Sequence, residues 1–511
     1  MLPKAGESWT IEEAAHLLNR AGFGGSPDEI RTWHKLGRRR AVEKLVSPPA
    51  ATNATPIPEW AEPERARADM LARREQLRGM RMDMRGAGDE QTEKLRREAR
   101  QQVQRENRRH MEEARDWWFR RLLNGRAPLH EKMTLFWHDH FATSAQKVRE
   151  PVLMLRQNQL FRQHACGNFK QLAAAIVEDP AMMLYLDTQN SRKGKPNENF
   201  AREVMELFTL GEGNYTEQDV AEAARAFTGY RLDRFTGEVS HSPRMWDEGN
   251  KTILGEKGRF KGGDVIELIF RQPAAATFIA RKIWEFFVYE NPPESGVDAL
   301  AKVLRDADYD MSTLLREIFL AREFYSAAAI RTQIKCPVQY LAALIKQLEI
   351  AEPPTLFVRG GQLQLGQILF MPPNVAGWDW GKAWINTNTL LNRYNLAGFI
   401  TKGSDTKTDD ADDMERSMAR EMMQGMGPAG RRMSRAWKGP DYERIAPRPL
   451  RENPAQLVDS LVFRFFQGPV PDKARASFLE YARAKQGVVF TNNEVAELCH
   501  LMLSTPYYQL C

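Results

Sequence analysis

The stretch from Pro196 to Gly229, PNENFAREVMELFTLGEGNYTEQDVAEAARAFTG, constrains the fold most, because its helix start and stop signals leave little choice. Asn197 can cap a helix whose apolar Phe200, Val204, Leu207 and Phe208 share one face, and Gly211 can end it in a left-handed turn. Thr216 is then the N-cap of a second helix, with Asp219 placed for a capping box and Val220, Ala223, Ala224 and Phe227 as its buried stripe before Gly229. Two short helices therefore pack as a hairpin. On the first, Asn199, Glu203 and Glu206 fall at i, i+4 and i+7, so an amide and two carboxylates line one face. Unless both carboxylates point into water they need a metal, an arginine or a shared proton, each of which is active-site chemistry. The plainer alternative is an exposed ion-pair ladder of Glu198, Arg202 and Glu206.

Helical periodicity dominates the rest of the chain. Residues 8 to 46 predict two helices broken at Gly22-Phe23-Gly24-Gly25, with Ser26 capping the second. After a Pro-rich stretch, residues 64–115 are dense in Arg and Glu, poor in large apolar groups and interrupted at Gly86-Ala87-Gly88, which predicts a solvated helical hairpin inserted into the body. Residues 1–63 read as the N-terminal part of the core and 116–400 as the main body. The acid-rich, Met-rich and Gly-Pro-broken stretch 401–452 reads as a flexible linker to a C-terminal helical unit at 453–511. Glycines and alternating polar residues between 232 and 263 predict a small β or loop excursion. The expected fold is thus all-α: a large multi-helix body with a charged hairpin insertion.

A late repeat supports that reading. IWEFFVYENPPE followed by LLREIFLAREFYS, within 278–326, is answered by VFRFFQGPVPDK and ELCHLMLSTPYYQ within 457–509. Phe286-Phe287 corresponds to Phe465-Phe466 and Tyr325 to Tyr508, a pattern of duplication that favours an architectural role for both units.

Two further segments carry chemistry. In FWHDHF, a continuous helix puts His138 and His140 about 200° apart, so that one faces the core and His140 is the one chosen by the neighbouring apolar positions. If the helix stops near His138, both imidazoles can turn inward, and a divalent metal held by His138, His140, Glu203 and Glu206 becomes sensible. In FMPPNVAGWDWGKAWINTN, Pro372-Pro373 and Gly377 fix an irregular loop presenting Trp378, Trp380 and Trp384 beside Asn374, Asp379 and Asn386. Flat aromatic faces next to amides suit a sugar ring.

Composition bounds the partners. With 511 residues and 42% hydrophobic content a substantial core is available, and the net charge of +6 is a small excess of 73 basic over 67 acidic residues. No zinc-finger, Walker or RNA-binding signature marks a nucleic-acid protein. Cys166, Cys336, Cys499 and Cys511 are far apart and unpaired in spacing, which favours reduced thiols. No window reaches a transmembrane length and MLPKAGESWTIEEAAHLLNR lacks a signal-peptide pattern, so cytoplasm is expected for the chain as it stands, and export if a leader has been removed.

NENFAREVMELFTLGEGNYTEQDV, ARAFTG, EKMTLFWHDHFATS at 131–144, PAMMLYLD at 180–187 and FMPPNVAGWDWGKAWINTNTLLNR at 370–393 together resemble the bacterial domain-of-unknown-function family 1800. The likeness runs from AHLLNRAGFGGSPDE to Asn392-Arg393. It implies no assigned activity, and it implies a neighbouring protein of a second family, numbered 1501, similar to sulfatases and alkaline phosphatases. Where the family leads one to expect His-Asp, this chain has Trp246-Asp247, which puts in doubt a mechanism resting on that histidine. Two functional readings follow. One is a hydrolase acting on a polar, carbohydrate-containing substrate, with Glu203, Glu206 and His140 catalytic and Asn199, Asn374, Trp378, Trp380 and Trp384 binding. The other is a non-catalytic binding or assembly partner of a sulfatase-like protein, in which the carboxylates clamp Arg202 and Arg225.

Overall fold

A computed structural model describes the chain except for residues 49–54, 84–88, 125, 403–436 and 486–489. Helices make up most of it, and the strands form two two-stranded antiparallel sheets. Tyr230–Asp233 pairs with Glu238–His241, and Lys251–Ile253 with Glu256–Gly258, which places the expected β excursion between 230 and 258.

Local signals act as their chemistry dictates. Asn197 accepts the N–H of Asn199 to start Glu198–Glu206, and Thr216 forms a reciprocal capping box with Asp219 to start Glu217–Ala226. Gly211 has φ +80°, the left-handed turn that separates the two. The N-terminal region differs from its reading in number. Ile11–Arg20 and Pro27–Leu36 are joined by a third helix, Arg38–Val46, because Gly37 at φ +78° breaks the pattern without ending it.

The duplicated units have the same order of elements. The first runs through Pro273–Phe287, Glu294–Asp306, Met311–Phe319 and a closing 3-10 turn at Glu323–Tyr325. The second runs through Pro454–Phe466, Asp472–Ala484, Asn492–Leu503 and a closing turn at Pro506–Gln509. The second unit is not held by a tether alone. Leu461, Phe465, Cys499 and Tyr508 share one apolar core with Trp118, Leu341 and Phe370, because the second unit's apolar stripes find their partners on the body. Most of the expected 401–452 linker lies outside the described residues. At its far end the Tyr442 hydroxyl donates to the Thr401 carbonyl at 2.7 Å.

A second echo takes on meaning in three dimensions. Leu-Leu-Asn-Arg occurs at 17–20 and at 390–393, and both arginines are buried to 1% exposure. Arg20 donates to the carbonyl of Val288, at the end of the first unit's opening helix, and to that of Ala329, just past its closing turn. Arg393 donates to the Lys335 carbonyl at 2.8 Å and to Gln509 Oε1 at 3.0 Å, at the close of the second. Each guanidinium thus spends its donors on buried oxygens that join distant parts of the chain.

The charged insertion forms two helices, Pro63–Asp83 and Asp89–Asn124, and its Gly86-Ala87-Gly88 break lies outside the described residues. The second helix changes character along its length. Residues 90–109 are exposed or half-buried, whereas Met111, Ala114, Trp117 and Trp118 are core. Arg73 of the first helix to Glu150, and on the second Asn107 to the Arg149 carbonyl and Glu112 and Asp116 to Arg359, fasten the base of the insertion.

Candidate active site

Helix Pro128–His140 is buried on all sides from Glu131 onward. Both histidines of FWHDHF are therefore interior, which corrects the reading in which His140 alone faces the core. His138 is ringed by Trp118, Phe161, Phe370 and Trp378, and neither of its ring nitrogens has a hydrogen-bonding partner. Burial pushes its pKa down to about 3. His140 Nε2 lies 2.9 Å from the Phe208 carbonyl, and burial, then the charge of Lys282, hold it neutral well below the ordinary histidine value.

Three successive inward steps of this helix, Lys132, Phe136 and Asp139, share a face with His140. That face lines a cavity of about 450 Å³ together with Lys282, Glu285, Phe286, Glu290, Cys336 and Gln339. Trp380 and Trp384 close it from the proline-stiffened loop. Asp139 stands in the last helical turn, where the C-terminal dipole disfavours an anion. It is 6% exposed. Burial pushes its pKa up to about 7, against the opposing pull of the Trp378 N–H, the Lys282 ammonium and the Trp380 side chain. Lys282 moves the other way, lowered by burial and partly restored by Asp139 and Glu285. Glu285 is raised, chiefly by its own burial. The cavity thus holds a carboxyl that titrates near neutrality beside an ammonium, the electrostatic form of an acid–base site.

The loop reaches this position through glycine. Gly377, at φ +92°, brings the backbone so close to Asp139 that a Cβ there would stand 2.4 Å from Oδ1. Gly381, at φ +56°, does the same against Glu290, at 2.0 Å. Asn374 folds back on its own loop and accepts the Ala376 N–H at 2.8 Å. Trp378 is 4% exposed and packs on His138, Trp384 is 7% exposed, and Trp380 is 47% exposed with its ring edge-on to Phe286.

The structure does not bring Glu203, Glu206 and Asn199 to that cavity. Asn199 is exposed, and both carboxylates are half-buried. The Tyr215 hydroxyl donates to Glu206 at 2.5 Å. Glu203 is raised by partial burial and by the charge of Glu206. Arg202 is taken by Glu217 at 2.7 Å, with Glu198 at 3.7 Å. His140 looks instead toward Phe208, in the turn just past the C-cap of that helix. The metal set proposed from sequence, His138, His140, Glu203 and Glu206, does not assemble: aromatic rings enclose the first, and a carbonyl occupies Nε2 of the second. Among the described residues no group of three or more His, Cys, Asp and Glu side chains is placed to hold a metal ion.

At the family departure point, Trp246 lies under Lys251 and Lys261, 5.0 and 5.2 Å from its ring centre, and Asp247 pairs with Arg225 at 2.9 Å. A wider concavity of about 960 Å³ adjoins Glu131. That carboxylate is already held by Arg121 and Arg162, each at 2.8 Å, and is lowered despite its burial.

Asp139 and Lys282 escaped the reading of the sequence. Asp139 sat in plain view between two histidines that drew attention to metal binding, although its spacing from Lys132 and Phe136 marks one helix face. No helix of the described residues is long and apolar enough to cross a membrane. The family described as protein of unknown function (DUF1800) matches residues 16–510, so the chain belongs to that family. No curated protein and no solved structure matches it.

Proposed function

We propose that the cavity over Asp139 is the active site of a hydrolase-like activity on a polar, carbohydrate-containing substrate. The observation that carries this reading is Asp139 itself, a buried carboxyl near neutrality at a cavity walled by Trp380 and Trp384. A carboxylic acid whose pKa burial raises toward neutrality is suited to protonate a leaving oxygen. Glu285 and Glu290, in the same lining, supply the second carboxylate that glycoside chemistry needs, as base or nucleophile. Lys282 stabilises negative charge as Asp139 gives up its proton. The half-exposed ring of Trp380 offers a stacking face to a sugar. In this reading Glu203 and Glu206 lie outside the chemistry.

The test is hydrolysis of a panel of chromogenic glycosides by the purified chain, with Asp139→Asn and Lys282→Met beside it. Turnover by the parent, lost by at least about 100-fold in a folded Asp139→Asn, supports the reading. Turnover that survives in Asp139→Asn and disappears in Glu203→Gln would return the chemistry to the helical hairpin.

A second reading, docking to a sulfatase-like partner, is favoured by the exposed, charge-dense stretch 90–109, which the core does not explain. Pull-down of such a partner by the parent and by a hairpin-deleted chain separates the two.

A further inference from the structure

Lys132 is 4% exposed, yet it lines the cavity. Its Nζ donates to Gln339 Oε1 at 2.8 Å and lies 5.0 and 5.4 Å from the ring centres of Phe23 and Phe286. An ammonium has three donors, and a single side-chain amide accepts from this one. No ion pair with a carboxylate forms at Lys132 among the described residues. Burial lowers its pKa, and the groups that act on it are the Cys336 and Cys511 thiols and another cation, Arg20. Gln339 is a neutral amide and supplies no counter-charge, and its own N–H donates to the Asn19 carbonyl at 2.9 Å.

A buried charge without a counter-charge is costly, and an apolar residue of similar length would serve packing better. Lysine is explained here if the counter-charge arrives with the ligand. Asp139 does not serve, since its charge acts on Lys282 and it is not among the groups that act on Lys132. Glu285 likewise acts on Lys282. The floor of the cavity at Lys132 is therefore positive, while the carboxyls gather at the Lys282 end.

We propose that Lys132 receives an anionic group of the ligand, so that the substrate class is a small acidic sugar derivative bearing a carboxylate, a sulfate ester or a phosphate ester. Its anion sits on the Lys132 ammonium and its ring lies toward Trp380. The proposal rests on the carbohydrate reading above, and its experiment separates the two.

Binding to the full chain is measured by calorimetry for glucuronate, glucose 6-sulfate, glucose 6-phosphate and glucose, with melting in sodium sulfate against sodium chloride at equal ionic strength. The parent is expected to bind at least one of the acids 10-fold or more tighter than glucose. Lys132→Met should bring that acid down to the level of glucose, Lys132→Arg should keep the preference, and Trp380→Ala should weaken acid and neutral sugar together. Equal affinity for acids and glucose, or a preference that survives in Lys132→Met, overturns the proposal. Sulfate protection of the parent alone, with none of the sugars bound, keeps the anion subsite and removes the carbohydrate reading. Neither sugar binding nor selective sulfate protection removes both. Because Lys132→Met deletes an uncompensated charge, it should also melt no lower than the parent in chloride. If it melts lower, Lys132 is a structural residue and the assignment fails.

Discussion

The backbone N–H of Trp378 donates to Asp139 Oδ1 at 2.7 Å, joining residues 239 positions apart. The helix end and the tryptophan loop are thereby one unit, and whatever moves the loop also changes the acidity of the carboxyl.

Gly377→Ala should break that unit. The new Cβ meets both Oδ1 and the carbonyl of Asp139, at 2.4 and 2.7 Å, on a backbone already in the left-handed region. A loss of about 1–3 kcal/mol in urea unfolding is expected. An unchanged midpoint would mean that the loop does not close on Asp139.

Asp139 should leave a signature in the pH dependence of stability. Its pKa is raised from 3.8 unfolded to about 7 folded, so the folded state holds the proton more tightly. The stabilising contribution is complete below pH 3.8 and is lost as pH rises through about 7. The stability of the parent minus that of Asp139→Asn should therefore fall between pH 4 and 7. A flat difference would place the carboxyl in water.

His138 works with the opposite sign. Its pKa is lowered from 6.5 to about 3, so its contribution is complete above pH 6.5 and is lost as pH falls toward 3. His16 and His140, also lowered, add to the same acid limb. In His138→Phe the melting temperature should fall less steeply from pH 6.5 to 4 than in the parent. Parallel curves would show that His138 takes up its proton as freely folded as unfolded.

Trp380→Ala is expected to weaken ligand binding by about 1–3 kcal/mol, the scale of one stacked ring, with little change in melting because nearly half of the side chain is exposed. If affinity is untouched, the ring is not a binding wall.

Removing Gln76 to Arg105 and closing the gap with a short Gly-Ser linker spares Arg73, Asn107 and the buried tryptophans. Melting should move by no more than about 1–2 °C. A collapse in stability would show that the outer hairpin belongs to the core.

How far the sequence could be read depended on whether the deciding contacts were local. Asn197, Thr216 and Ser26 act on backbone groups two or three residues away, so the helices they start were legible. The tryptophan loop stood out through its prolines and glycine, and Trp380 and Trp384 do border a cavity. Its partner was not legible, because nothing near Asp139 in the chain records that Trp378 will arrive from 239 positions away. That Glu203 and Glu206 do not line the Asp139 cavity was hidden for a related reason. Helical spacing places two carboxylates on one face but does not say what lies opposite, and Tyr215 and solvent lie there rather than His140.

Arg20 shows what such distances mean in time. Its helix near the start of the chain meets Cys511 across 491 positions, and the adjacent Asn19 donates to Gln467 across 448. At roughly 5–20 residues per second of synthesis, those partners emerge on the order of a minute after the helix itself. Throughout that interval a guanidinium destined for the interior must stay hydrated, so a helix made early is among the last to be finished.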